Sequence, residues 1–88
     1  MVRQRVVVHG RVQGVSFRDA CRREAASRRV AGWVRNCPDG TVEAVFEGDR
    51  EGVEAMTRWC RGGPAYAHVD RVDVTEEPPQ GQRGFEVC

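Results

Sequence analysis

Apolar and polar residues alternate along the chain in two different periods, one typical of strands and one typical of helices. Residues 4–11 contain the continuous apolar run Val6-Val7-Val8, which predicts a strand with neighbours on both sides. In residues 41–47, a second predicted strand, the apolar positions repeat every two residues, as they do when one face of a strand is buried. There Val42, Ala44 and Phe46 point one way and Thr41, Glu43 and Glu47 the other, with Val45 as the exception. Residues 32–36 and 68–76 are also predicted strands, and residues 84–88 predict a short final one.

Two segments instead carry apolar residues at helical spacing. In residues 18–29 the stripe is Phe17, Cys21 and Ala25, and in residues 50–61 it is Val53, Met56 and Cys60. Asp49 is suited to cap the start of the second helix, and Gly62-Gly63-Pro64 is suited to end it. Both helices are therefore predicted to bury one face.

The order of these elements is β-α-β-β-α-β with a short C-terminal edge strand. This order predicts an α+β, ferredoxin-like split β-α-β sandwich, with two helices on one face of an antiparallel sheet, in a single domain over residues 1–88. The first two strands run parallel because their crossover is right-handed, and the third lies between them. The loop after the first strand and Asn36 at the end of the second therefore meet at one edge, about 10 Å apart.

Composition removes several classes of function. The formal net charge is +1, so no basic field favours nucleic acid, and lysine is absent, which excludes a Schiff-base or P-loop lysine. Cysteines stand at 21, 37, 60 and 88 without a C-x-x-C pair, which disfavours a thiolate metal site. No apolar stretch approaches the roughly 20 residues of a membrane span, and the N-terminus lacks a secretory pattern. We expect a cytoplasmic protein without a membrane or nucleic-acid partner, and a monomer because the chain is small.

The segment from Gly10 to Arg18 carries the strongest chemical signal. A strand that turns through a glycine-bearing loop into a helix offers converging backbone N–H groups and a positive helix end, both of which suit an anion. Arg18 adds a planar guanidinium that matches phosphate. From these residues alone, Arg18 also fits a solvated arginine of a first helical turn, and Asn36 also fits a turn former before Pro38-Asp39-Gly40.

The runs GRVQGVSFR (10–18) and GWVRNCPDGTVEAVFEG (32–48) resemble the acylphosphatases. The resemblance extends from Val6 to Phe85 and includes the Gly-Pro pair before the fourth strand. It implies a hydrolase that converts acyl phosphates to a carboxylate and inorganic phosphate with neither metal nor cofactor. By position, Arg18 matches the family's phosphate-binding catalytic arginine and Asn36 its water-orienting catalytic asparagine. The phosphate-binding loop matches Gln13, Gly14, Val15, Ser16 and Phe17, whose backbone amides would hold the phosphoryl oxygens.

Other functions are compatible with the same predicted fold. One is a non-catalytic module that binds phosphate, another anion or RNA, although RNA binding would need exposed aromatic residues on the central strands, where only Phe46 stands. A metal-carrier domain is disfavoured by the missing C-x-x-C. A regulatory domain of the kind fused in hydrogenase-maturation carbamoyltransferases also fits, although the short chain favours an independent enzyme.

Overall fold

The computed structural model describes every residue from Met1 to Cys88 and contains five strands and two helices. In chain order they are β1 (Val2–Arg11), α1 (Phe17–Ser27), β2 (Ala31–Asn36), β3 (Val42–Gly48), α2 (Arg50–Gly62), β4 (His68–Glu77) and β5 (Phe85–Val87). Every predicted element is present, with ends within two residues of those predicted. The α2 helix begins after Asp49 as predicted, but the Asp49 side chain makes no capping hydrogen bond. Neither helix is long and apolar enough to span a bilayer.

The strands form one sheet in the order β4-β1-β3-β2-β5. The predicted central position of β3, between β1 and β2, is confirmed, and β1 pairs with β3 and β4 in antiparallel fashion. The sheet is mixed rather than wholly antiparallel, because β5 pairs with β2 in parallel. A parallel pair requires a long connection. Here β2 and β5 are connected by β3, α2, β4 and a crossing from β4, at one edge of the sheet, to β5 at the opposite edge.

The helices cover one face of the sheet and form the hydrophobic core with it. Both helical stripes predicted from the sequence are completely or almost completely buried there. Val42, Ala44 and Phe46 of β3 meet them from the sheet, each with no exposed surface. Burying large apolar side chains of this kind contributes roughly 1.5–3 kcal/mol for each.

The opposite face of the sheet contains a buried ion pair beneath a covering segment. Residues 78–84, which join β4 to β5, are here called the strap. Under the strap, Glu47 of β3 is 1% exposed and Arg3 of β1 is 3% exposed, and Arg3 Nη1 lies 2.9 Å from Glu47 Oε1. The Glu47 carboxylate also accepts hydrogen bonds from the backbone N–H groups of Gln80, Gly81 and Gln82, at 3.0, 2.7 and 3.1 Å. The sequence pattern placed Glu47 on the correct face but did not predict its burial.

These hydrogen bonds make Glu47 an acid-sensitive anchor. The backbone N–H of Gln80, opposed by desolvation and helped by Arg3 and the N–H groups of Gln82 and Gly81, lowers the pKa of Glu47 from 4.5 to about 2. A carboxyl whose pKa is lower in the folded than in the unfolded state stabilises the fold above the unfolded value. Its contribution is therefore fully present above pH 4.5 and is lost as the pH falls from 4.5 towards 2.

We expect Glu47→Gln to lower the free energy of unfolding by about 3 kcal/mol at pH 7, because it leaves Arg3 buried with weaker compensation. The deficit should shrink as the pH falls from 4.5 towards 2, where Glu47 of the parent protein is itself neutralised. Urea unfolding at several pH values measures both effects. Glu86→Gln is the matched control, since Glu86 is exposed and makes no ion pair. A deficit of constant size from pH 7 to pH 2 would contradict the assignment.

Candidate active site

The chain leaves β1 through a bulge that only glycine can occupy. The register between β1 and β4 shifts between His9 and Gly10, and Gly10 has φ of 132°. A Cβ at Gly10 would lie 2.1 Å from the carbonyl oxygen of His68, far inside van der Waals contact. The bulge bends the chain at this point, as such irregularities do at strand ends. It therefore directs the residues after Arg11 away from β4 and into the loop before α1.

The loop from Val12 to Ser16 presents its backbone N–H groups to solvent rather than to the protein. Gly14 and Ser16 both have positive φ, 75° and 61°, which makes successive N–H groups converge. The N–H groups of residues 13–17 make no backbone hydrogen bond within the chain; the first hydrogen bond of this region runs from Ala20 N to Ser16 O. The α1 helix begins directly afterwards, so its positive end is added to the same point. The local geometry therefore suits an anion with several oxygens.

Arg18, the second residue of α1, lies beside this loop. Its Nη1 donates a hydrogen bond of 2.9 Å to the backbone oxygen of Cys88, just beyond β5. This contact, which the sequence did not predict, holds the guanidinium beside the loop. Because the guanidinium is planar, this contact also restricts the directions in which its other N–H groups can point.

Asn36 is the last residue of β2 and lies at the same end of the sheet as this loop. In the register of the sheet, Asn36 pairs with Val42 of β3, and Val42 pairs with Val8 of β1. Asn36 therefore stands two strand spacings, about 10 Å, from Val8, three residues before β1 ends at Arg11. It shares the helix-covered face with Val34, two residues earlier, which belongs to the core.

Arg18 and Asn36 line one cavity of about 420 Å³. The other lining residues are Val12, Gly14, Ser16, Phe17, Asp19 and Val87. Of the five loop residues singled out from the sequence, Gly14, Ser16 and Phe17 line this cavity, whereas Gln13 and Val15 do not. The sequence did not single out Val12, Asp19 or Val87, because their place at the cavity depends on the fold rather than on a local motif.

The acidic residue that lines the cavity, Asp19, has cationic partners outside the cavity. Its carboxylate is engaged by Arg22, at 3.1 Å, and by Arg23. In the turn after Asn36, the hydroxyl and backbone N–H of Thr41 donate hydrogen bonds to Asp39 and lower the pKa of that carboxyl, which stays ionised but does not line the cavity. The loop N–H groups and Arg18 therefore remain to meet an anion.

The side chain of Gln13 has a place that the sequence did not indicate. Its Nε2 donates to the carbonyl oxygens of Cys37, at 2.8 Å, and of Thr41, at 3.0 Å. Its side chain thus joins the loop before α1 to the turn that follows Asn36. The sequence assigned Gln13 only a backbone role, and no local pattern indicates contacts to carbonyls 24 and 28 residues away.

RNA recognition finds no support in the arrangement of aromatic residues on β3. Phe46, the one aromatic residue of that strand, has no exposed surface and stacks on Phe85, with ring centroids 6.0 Å apart. Bases cannot stack on a ring buried beneath helices.

The fold and the cavity define an α+β protein of the ferredoxin-like class with an anion-suited loop at one sheet edge. The family model for acylphosphatases matches residues 4–87. An acylphosphatase of Rubrobacter xylanophilus is 58% identical over 86 residues, which cover 97% of this chain and 78% of that protein. The crystal structure of acylphosphatase from Bacillus subtilis superimposes with a TM-score of 0.96 at 36% identity, covering 100% of this chain and 99% of the other. The HypF structure from T. kodakarensis superimposes with a TM-score of 0.86 at 36% identity, but this chain covers only 12% of it.

The chain belongs to the acylphosphatase family, whose members hydrolyse acyl phosphates. It corresponds to the small stand-alone domain of that family, because the match extends over nearly its whole length and nearly the whole of the Bacillus subtilis protein. The enzyme class predicted from the sequence is confirmed.

Ser16 and Arg29 are the two residues other than glycine with positive φ, at 61° and 56°. A left-handed conformation is costly for residues with a Cβ, by about 1–2 kcal/mol, part of which the greater flexibility of glycine in the unfolded chain offsets. We therefore expect Ser16→Gly and Arg29→Gly each to raise the free energy of unfolding by about 0.5–1 kcal/mol. Chemical denaturation measures this. The matched control is Ala26→Gly in the last turn of α1, which should lower stability instead. If all three substitutions change the free energy of unfolding equally, Ser16 and Arg29 are not strained.

Proposed function

We propose that this enzyme hydrolyses acyl phosphates by holding the phosphoryl group with Arg18 and the loop N–H groups of residues 13–17 while Asn36 orients the attacking water. The observation that carries the proposal is that Arg18, the loop and Asn36 line one cavity. The guanidinium and the N–H groups are donors only, so they match the phosphoryl oxygens. The carboxamide of Asn36 has both an acceptor and a donor, as a group that orients water requires.

The chemistry needs few protein groups because of the leaving group. An acyl phosphate is a mixed anhydride, and its leaving carboxylate has a pKa near the ordinary value of Asp or Glu side chains, about 4. It departs without protonation, so no general acid is required. The transition state is loose, with charge spread over the equatorial oxygens. Donors placed around those oxygens and a correctly placed water therefore supply most of what the reaction needs.

Arg18 would act by exchanging one acceptor for another. In the structure its Nη1 donates a hydrogen bond to the backbone oxygen of Cys88. A phosphoryl group offers several charged oxygens, to which the planar guanidinium can donate two parallel hydrogen bonds. The guanidinium thus has one acceptor in the free enzyme and would have at least two when substrate is bound. We further propose that the enzyme acts as a cytoplasmic monomer, in keeping with its small size of 88 residues.

The first test is hydrolysis of benzoyl phosphate in the presence of EDTA, with p-nitrophenyl phosphate as the comparison substrate. We expect activity on the anhydride, undiminished by the chelator, and no activity on the phosphomonoester, whose leaving group is poorer. We also expect inorganic phosphate to inhibit competitively because the same donors accept it. Binding of phosphate without hydrolysis of benzoyl phosphate would favour the non-catalytic anion-binding function instead.

We expect Arg18→Ala and Asn36→Ala each to reduce activity at least about a hundredfold, the usual cost of losing one positioned donor to the transition state. Arg18→Ala should act mainly on KM because the guanidinium binds the phosphoryl group already in the ground state. Asn36→Ala should act mainly on kcat because the water matters only in the reaction step. Steady-state kinetics on benzoyl phosphate measures both. Arg58→Ala, an exposed arginine of α2 outside the cavity, is the control; full activity of either site variant would refute its role.

A further inference from the structure

We propose that the side chain of Gln13 is a positioning residue for Asn36, so that it governs the placement of the attacking water. This inference rests on the proposed function of Asn36. It assigns to Gln13 a role different from that of its backbone, which belongs to the phosphate-binding loop.

The Gln13 carboxamide uses both N–H groups of its Nε2 on the turn that follows β2. These N–H groups reach the carbonyl oxygens of Cys37 and Thr41, at 2.8 and 3.0 Å. Gln13 is half-buried, so these hydrogen bonds are partly shielded from water. A nitrogen that donates to two separate carbonyls fixes their positions in two directions.

The turn is rigid within itself. Cys37 N donates to Thr41 O at 2.8 Å, and Thr41 N and Oγ1 donate to Asp39 Oδ1 at 3.0 and 2.7 Å. None of these hydrogen bonds reaches the phosphate-binding loop. The two hydrogen bonds of the Gln13 side chain supply that link, one of them to the residue directly after Asn36.

The Asn36 carboxamide makes no hydrogen bond within the protein, although the residue is half-buried at the cavity wall. The placement of Asn36 therefore depends on its backbone, which pairs with Val42 of β3 on one side and continues into the turn held by Gln13 on the other. Small displacements of a positioning group can cost up to about a hundredfold in rate, because the reacting atoms must meet at close range and in line. The Gln13 side chain thus ties the loop that would hold the phosphoryl group directly to the turn beside the residue that would hold the water.

Gln13 itself does not line the cavity. Loss of its side chain should therefore leave the donors to the phosphoryl group in place, namely the loop N–H groups and Arg18. This separates two kinds of effect: misplaced water lowers kcat, whereas a damaged phosphate site raises KM and the inhibition constant of inorganic phosphate.

The test uses Gln13→Met, which keeps the length of the side chain and removes the donors, and Gln13→Glu, which replaces the donating amide with a second acceptor. Arg58→Met and Arg58→Glu are the controls, because Arg58 is exposed on α2 and lies outside the cavity. On benzoyl phosphate we expect kcat of both Gln13 variants to fall about 10- to 100-fold. KM and phosphate inhibition should stay within about twofold of the parent values, and the controls should be unchanged.

A double-mutant cycle distinguishes positioning from a general loss of structure. In the Asn36→Ala background no carboxamide remains to be placed, so Gln13→Met should lower kcat further by less than about twofold. A loss equal to that in the parent background would show that Gln13 acts on something other than Asn36 and would overturn the inference. Melting temperatures of all variants fix an assay temperature at which each is folded.

The outcomes separate this inference from the proposed function. If the parent enzyme fails to hydrolyse benzoyl phosphate, the proposed function falls and this inference falls with it. If the parent is active and Gln13→Met keeps its kcat within twofold, the inference alone is wrong. A rise in KM and in the phosphate inhibition constant at unchanged kcat would likewise overturn it and place the side chain in phosphate binding.

Discussion

The hydrogen bonds between the Glu47 carboxylate and the strap hold together the two edge strands of the sheet, β4 and β5. The strap must cross from β4 to β5 over four strand spacings, about 19 Å, and its seven residues can span at most about 25 Å. A segment stretched this far has little slack for hydrogen bonds within itself. Glu47 stands on the central strand, near the midpoint of the crossing, and accepts three of the strap's N–H groups, while Arg3 compensates its charge. A buried carboxylate is costly unless it is satisfied in this way.

The strap connects this buried pair to the chemistry at the opposite end of the sheet. Because the strap delivers the chain to the far edge, β5 can pair with β2 in parallel, and Cys88 N donates to Val34 O at 2.9 Å. That pairing places Val87 on the wall of the cavity and the carbonyl of Cys88 against Arg18. The position of the guanidinium therefore depends on a crossing whose anchor is Glu47. The buried ion pair on one face of the sheet therefore affects the geometry of the cavity through the strap and β5, and not through a direct contact.

The sequence predicted what local periodicity and strand topology determine. Helical spacing predicts stripes such as Phe17, Cys21 and Ala25, and the β-α-β-β-α-β plan predicts the central position of β3; the structure confirms both. The burial of Glu47, the parallel pairing of β5 and the contact of Gln13 with Cys37 and Thr41 were not. Each depends on where a distant segment lies, and an isolated Glu on the polar side of a strand has the same local pattern whether or not a strap covers it. The resemblance of the two motifs supplied the roles proposed for Arg18 and Asn36, which spacing alone left open.

The loop N–H groups and Arg18 differ in how firmly the fold holds them, and this difference suits them to different roles in the cavity. The backbone N–H groups of the loop lie between the bulge at Gly10 and the start of α1, which fix their positions, so the proposed mechanism assigns the phosphoryl oxygens to them. Arg18 is long and flexible, and the carbonyl of Cys88 limits its freedom before any anion arrives, which reduces the entropy lost on binding. That contact is a single hydrogen bond from Nη1, whereas a phosphoryl group can accept two parallel hydrogen bonds from the planar guanidinium. We therefore expect the substrate to displace the Cys88 oxygen from Arg18 when it binds.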